Sequence, residues 1–374
     1  MSPLWGPIFG TAQVAAATDD HAWLQALADV EAALARACAR SGLIEPSVAD
    51  EIGAACAAVS AINPGELGRG AAADGNPVIP LVGELRGRVS PSAACSVHLG
   101  ATSQDIMDTA SMLVAHRALA VVLAALDSSA DACALLARTH RTTVMMGRTL
   151  LQQALPTTFG AVASGWGQGL DRATTRLRAV REGLAVQLGG AAGTLAALHP
   201  NGPAVRSALA AELGLADPGT IWHTERTRVA ELACALGTVS GVIGKVATDI
   251  VLLAQTEVGE VHEHHSGASS AMPHKQNPIA AVTARAAAAQ TPGLVATLLT
   301  AMAAELQRGA GSWHAEWQPL TALLNSTGGA AARLSTSLCE LHVDTDAMER
   351  KLDSVGDIGH APDLVDDYLR GCAR

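Results

Sequence analysis

Twelve consecutive residues hold most of the parts that a reaction on an anion needs. Gly267-Ala268-Ser269-Ser270-Ala271-Met272-Pro273-His274-Lys275-Gln276-Asn277-Pro278 carries two hydroxyls, a lysine, a histidine, an asparagine and a run of backbone N–H groups. Pro273 and Pro278 each disfavour helix in the residue before them, and the opening Gly-Ala-Ser-Ser is flexible, so the string reads as a loop. Helix-compatible segments flank it on both sides. Fixed donors of this kind suit a substrate on which negative charge develops.

Two further stretches use the same vocabulary. His98-Leu99-Gly100-Ala101-Thr102-Ser103-Gln104-Asp105, with Asp108 and Thr109 beyond, puts hydroxyls where a helix begins. Thr102 and Ser103 can simply cap that helix. The same helix end, through its N–H groups and dipole, can instead hold a carboxylate. Gly147-Arg148-Thr149-Leu150-Leu151-Gln152-Gln153-Ala154-Leu155-Pro156 offers Gln152 and Gln153, either as solvated loop residues or as amide donors, with Pro156 placed to open the next helix. Arg308 reads as a helix end, where a cation complements the dipole. Its guanidinium is also the side chain best shaped to grip a carboxylate with two bonds. Trp313-His314-Ala315-Glu316-Trp317, just beyond, gathers two of the six tryptophans.

The elements that must position these residues are mostly long helices. His21 to Ser41 is amphipathic and is ended by Gly42; a second helix runs from Pro46 towards Asn63, and an apolar one starts at Val78. From Thr102 the texture changes. Ser103 to Thr139 has almost no breaker, and Pro156 to Ala185, Thr224 to Glu260, Ile279 to Gln307 (bent at Pro292) and His314 to His342 complete five long helices. Their apolar faces are broader than two-helix packing covers, which implies burial against further copies of the chain. The fold expected is all-α: an N-terminal helical domain over 1–100, a central bundle over 101–345 and a short tail over 346–374.

Composition narrows the function. Of 374 residues, 49% are hydrophobic but only 2% aromatic, which favours closely packed helices over sandwiches or barrels. A net charge of −10 argues against nucleic acid as a partner. The seven cysteines never fall in a C-x-x-C spacing, and five sit among apolar helical neighbours as small hydrophobes. Met1 to Gly10 lacks the parts of a signal peptide, and no uninterrupted apolar run suggests a membrane span, so a cytoplasmic, reduced protein is expected. His262, His264 and His265 crowd before the loop but lack a recurring Cys or carboxylate partner, so a solvated hinge is the expectation rather than a metal centre. Gly189 to Gly193 has no strand before it and matches no phosphate fingerprint.

The loop resembles the signature of the fumarase/aspartase superfamily, G-S-S-x-M-P-x-K-x-N-P, with Ala268 as an extra small residue. The His-x-Gly-Ala-Thr-Ser-Gln-Asp stretch, the Trp-His-Ala-Glu-Trp cluster and Gln187-Leu188-Gly189-Gly190-Ala191-Ala192-Gly193-Thr194 are similar to one branch, the bacterial 3-carboxy-cis,cis-muconate cycloisomerases. Many members carry a histidine in Thr-His-x-Gln; here that position is Leu150, which speaks against an adenylosuccinate lyase. The resemblance, over about residues 20 to 345, implies an elongated helical bundle in a homotetramer, with sites at subunit junctions and a C-terminal domain absent or vestigial here.

The activity it implies is cycloisomerisation of a small polycarboxylate, 3-carboxy-cis,cis-muconate, to a lactone in protocatechuate breakdown. Neither cofactor nor metal is expected. Ser269, with Ser270 as the near alternative, would handle the proton; Lys275 would compensate charge, and His98 stands next in line. Thr102, Ser103, Gln152, Asn277, Arg308 and His314 would hold carboxylates. The alternatives are a superfamily lyase that eliminates a leaving group from a succinyl-type substrate, and a catalytically retired structural homologue.

Overall fold

The computed structural model describes residues 4–264, 267, 272, 275–352 and 356–372. Its organising element is the helix Ser103–Thr139, whose 37 residues span about 55 Å at 1.5 Å per residue. That helix starts where the sequence says it should. The Asp105 carboxylate accepts the backbone N–H of Thr102 at 2.9 Å, closing the helix start from within. Phe159–Glu182 and Trp317–Cys339 pack along it, and Thr227–Leu253 packs on both of them and on Ile279–Ala289. The result is a bundle of alanine- and leucine-lined helices. Small residues set the spacing: a Cβ on Gly160 would fall 2.7 Å from the His140 carbonyl and 2.8 Å from that of Ala137.

The N-terminal part is built on Asp20–Arg40, capped by the Asp19 side chain on the N–H of Ala22. Leu24, Leu27, Val30 and Leu34 recur at helical spacing and are all buried against the bundle. Shorter helices, Pro46–Ala57, Pro64–Asp74 and Val78–Gly87, cover its flank. A further helix, Ala361–Gly371, docks Tyr368 where Gly167 leaves no side chain.

Three expectations need correction. Pro156 does not open a helix: it pairs with Met146 in a hairpin of β1 (Val144–Thr149) and β2 (Gln152–Thr158), and the next helix starts at Phe159. The helix expected over 279–307 is two, Ile279–Ala289 and Thr291–Thr300, because Pro292 occupies the first turn of a new helix instead of bending an old one. Arg308 therefore lies in the connection beyond Thr300 and ends no helix. His262 belongs to a strand rather than a hinge: β3 (Val261–Glu263) pairs antiparallel with β4 (Leu341–Val343).

Two helices, Ser103–Thr139 and Thr227–Leu253, are long and apolar enough by length and composition to cross a membrane, although charged residues interrupt the apolar run of each. Both are core elements of the bundle and carry buried polar groups, among them Asp105, Asp108 and Ser240. In each, 44% of the apolar window is buried inside the chain, and the exposed positions of Thr227–Leu253 are Thr227, Glu231, Thr238, Gly241 and Lys245.

Candidate active site

The candidate residues fall into two groups. The first surrounds the N-terminus of Ser103–Thr139. Asp105, 1% exposed, accepts from the N–H groups of Thr102, Gly189 and Gly190, all at 2.9 Å, and from His223 Nε2 at 2.7 Å. One carboxylate thus ties the glycine-rich connection to the helix start, with Gly190 at φ 73° supplying a conformation that a side chain would oppose. Thr102 and Ser103 remain partly exposed beside it.

A second carboxylate, Asp108, anchors the neighbouring strands of chain. It accepts both Nη groups of Arg226 (2.8 and 3.0 Å), Trp313 Nε1 (3.0 Å) and Gln104 Nε2 (3.1 Å). Arg226 also reaches Glu316 through Nε at 2.9 Å and Nη2 at 2.5 Å. Burial alone would lower the guanidinium's pKa, but the charge of Asp108 and the hydrogen bonds donated to Glu316 raise it, so the arginine stays charged. This network fixes the 308–317 segment against the helix start. Arg308 is fixed with it, donating to Gln104 Oε1 at 3.2 Å and to the Ala191 carbonyl at 2.8 Å. His314 sits between Trp313 and Trp317, at ring distances of 5.0 and 4.8 Å.

His98 joins the same end. It adopts φ 66°, and its Nδ1 lies 2.6 Å from Oε1 of Glu31, which is buried. Burial opposes protonation of the ring; the hydrogen bond and charge of Glu31, with the charge of Asp105, outweigh it and raise the pKa. His98, Thr102, Ser103, Arg308 and His314 therefore come together around one helix end.

The second group lies at the other end of the bundle. Gly267 and Asn277 form an antiparallel bridge, N–H of Gly267 to the Asn277 carbonyl at 2.9 Å, and the Asn277 Nδ2 donates to the Gly267 carbonyl at 3.2 Å. Asn277 and the exposed Lys275 line a cavity of about 680 Å³ together with Val251, Gln255, His262 and Glu263. Glu263 is buried and accepts the N–H groups of Ala280 and Ala281, which seats the start of the following helix. Ser269 and Ser270 lie outside the described residues.

Gln152 opens β2 at the exposed tip of the hairpin, paired with Thr149. Arg148 holds that hairpin to the second group by two bonds to Glu260, at 2.8 and 2.6 Å, with the Glu260 side chain fully buried. The tip itself is Leu150-Leu151, 96% and 70% exposed and both at positive φ (51° and 62°).

His223 and Arg226 flank the start of Thr227–Leu253, while Val251 lines the cavity at its far end. Its 27 residues separate the groups by about 40 Å. One chain does not bring them together. No sequence motif assigns a role to Asp105, Asp108, His223, Arg226 or Glu316. The available signal was charge: ionisable residues at the margins of strongly apolar helices.

The sequence model of a lyase family matches residues 11–293. The chain is 44% identical over 361 residues to a 3-carboxy-cis,cis-muconate cycloisomerase of Bradyrhizobium diazoefficiens, covering 95% of this chain and 80% of that protein. It is 45% identical over 374 residues to a nitrosuccinate lyase of Streptomyces davaonensis, covering 95% and 78%. The crystal structure of 3-carboxy-cis,cis-muconate lactonizing enzyme from Pseudomonas putida superposes with a TM-score of 0.89 at 38% identity, over 99% of this chain and 87% of that one. Matched fold, likeness over most of the chain and the retained loop lead to one statement: the chain belongs to the lyase family of the fumarase/aspartase superfamily.

Proposed function

We propose that this protein converts 3-carboxy-cis,cis-muconate to 4-carboxymuconolactone in protocatechuate breakdown. A substrate carboxylate adds across the conjugated double bond, and the carbon next to another carboxylate takes up a proton. Run backwards, this is an elimination, which suits a lyase scaffold. The observation that carries the reading is likeness, over 95% of the chain, to a protein named for this reaction, with Lys275 and Asn277 kept in the loop string.

The difficult step is the charge of an enolate-like dianion. Lys275 lies exposed beside Asn277 in the cavity and supplies compensating charge. Ser269 handles the proton, with Ser270 as the near alternative. Thr102, Ser103, Arg308 and His314 hold carboxylates from one helix end, and Gln152 and Asn277 from the other. Because about 40 Å separates these groups along one helix, a complete site draws them from different copies. The assembly is a homotetramer, and the protein acts in the cytoplasm without a cofactor.

A second reading is elimination from a succinate-type substrate, favoured by the nitrosuccinate lyase relative. Loss of the diene absorbance of 3-carboxy-cis,cis-muconate by purified protein tests the first reading, and release of nitrite from nitrosuccinate tests the second. Under either, Lys275→Met should lower turnover by about 10²–10³-fold while leaving the far-UV circular dichroism unchanged. Turnover of neither substrate would remove both readings.

A further inference from the structure

β3 and β4 each alternate buried, exposed, buried. Val261, Glu263, Leu341 and Val343 point inward, and His262 and His342, directly paired across the ladder, stay exposed on the outer face. Their rings lie 4.4 Å apart, centroid to centroid, at an interplanar angle of 43°. Two imidazoles this close repel one another when both are charged. Neutral imidazole is the form that binds metal.

We propose that His262 and His342 form a two-histidine site for a divalent transition-metal ion of the copper, zinc or nickel class. Imidazole nitrogen suits these ions. Zinc holds each nitrogen at about 2.0–2.1 Å, so two nitrogens sharing one ion sit roughly 3–3.5 Å apart, which rings at the observed separation can reach. Among the described residues no group of three or more His, Cys, Asp or Glu side chains could hold a metal. The remaining positions therefore fall to water or to an oxygen ligand from solution, and the ion is exchangeable. His262 also lines the cavity that holds Lys275 and Asn277. An ion on the pair clamps β3 to β4 beside that cavity and adds positive charge next to the lysine, where a carboxylate oxygen could complete its coordination.

The test is calorimetric titration of the metal-free full chain with CuSO₄, and separately with ZnCl₂, at neutral pH in a non-coordinating buffer. Wild type should take up a single equivalent that the His262→Gln/His342→Gln double variant loses. Outer-shell partners of metal ligands are worth about 10–100-fold in affinity, so each single variant, lacking a direct ligand, should weaken uptake by at least that much. His264→Gln should leave the isotherm unchanged. Electron paramagnetic resonance of wild type at one equivalent of Cu²⁺ should show two imidazole nitrogens, and that result needs no variant to fold. Matching isotherms for wild type and a folded double variant, or a spectrum with one nitrogen ligand, would overturn the proposal.

Discussion

The two ends of the Thr227–Leu253 helix differ in how far their candidate residues are buried. At its start, Asp105, Asp108, His223, Arg226 and Glu316 are all at most 3% exposed and joined by hydrogen bonds. At its far end, Lys275 and Gln152 stand exposed, and two leucines project from a hairpin tip. The first end is finished by its own chain. The second presents groups outward, and its cavity is open. The contrast teaches that rigidity and reactivity are divided in space here: one half-site is prebuilt by buried charge, and the other waits for a surface to close on it.

The largest effect that would break this contrast is removal of its buried cation. Arg226→Met leaves Asp108 and Glu316 without their shared partner in a water-free setting, which should destabilise the fold by about 3–5 kcal/mol. Urea unfolding followed by circular dichroism reads this directly. A cost within the range of an exposed ion pair, below about 1 kcal/mol, would mean that the first end is not held by its charges.

A smaller, pH-dependent effect sharpens the same end. The pKa of His98 is raised in the folded state by Glu31. The pair's contribution is therefore fully present below the unfolded histidine value of about 6.5 and is lost as pH rises through the folded pKa. Wild type should exceed His98→Gln in stability by about 1.5–3 kcal/mol near the acid side of neutrality, the range for a hydrogen bond to a charged group. The gap should close as pH rises. Urea midpoints for both proteins across that range check the sign, and a gap that widened with pH would refute the pairing.

How much of this was legible in the sequence follows from the range of the interactions. The helix Ser103–Thr139 could be read to the residue, because its cap and its lack of helix breakers are local. The hairpin could not: Leu150-Leu151 carries no Asn or Gly to announce a two-residue turn, and Pro156 read as a helix opener. Candidates around Thr102 and Arg308 were found, and they do converge. The buried network that makes them converge was invisible, since Asp108, Arg226 and Glu316 are brought together only by tertiary packing. The partner of His262 was hidden for the same reason: it lies on β4, far along the chain.

The smallest effect concerns the open end, and its sign carries the information. Leu150 and Leu151 occupy positive φ, where a Cβ costs about 1–2 kcal/mol per residue. Such leucines gain nothing by exposure in an isolated chain. Replacing the pair by Asn-Gly, the preferred composition for two positive-φ residues in a hairpin turn, should relieve that cost. If the tip only meets solvent, the variant should be more stable than wild type by about 1 kcal/mol at every protein concentration. If the tip seats against another copy, the same change removes an apolar anchor. Stability would then rise in dilute solution and fall where copies associate, and sedimentation equilibrium would show weaker assembly. Concentration-dependent melting of the two proteins separates these cases. A gain that persists under associating conditions would leave the strained leucines without a role in assembly, and the open end would have to be completed by some other surface.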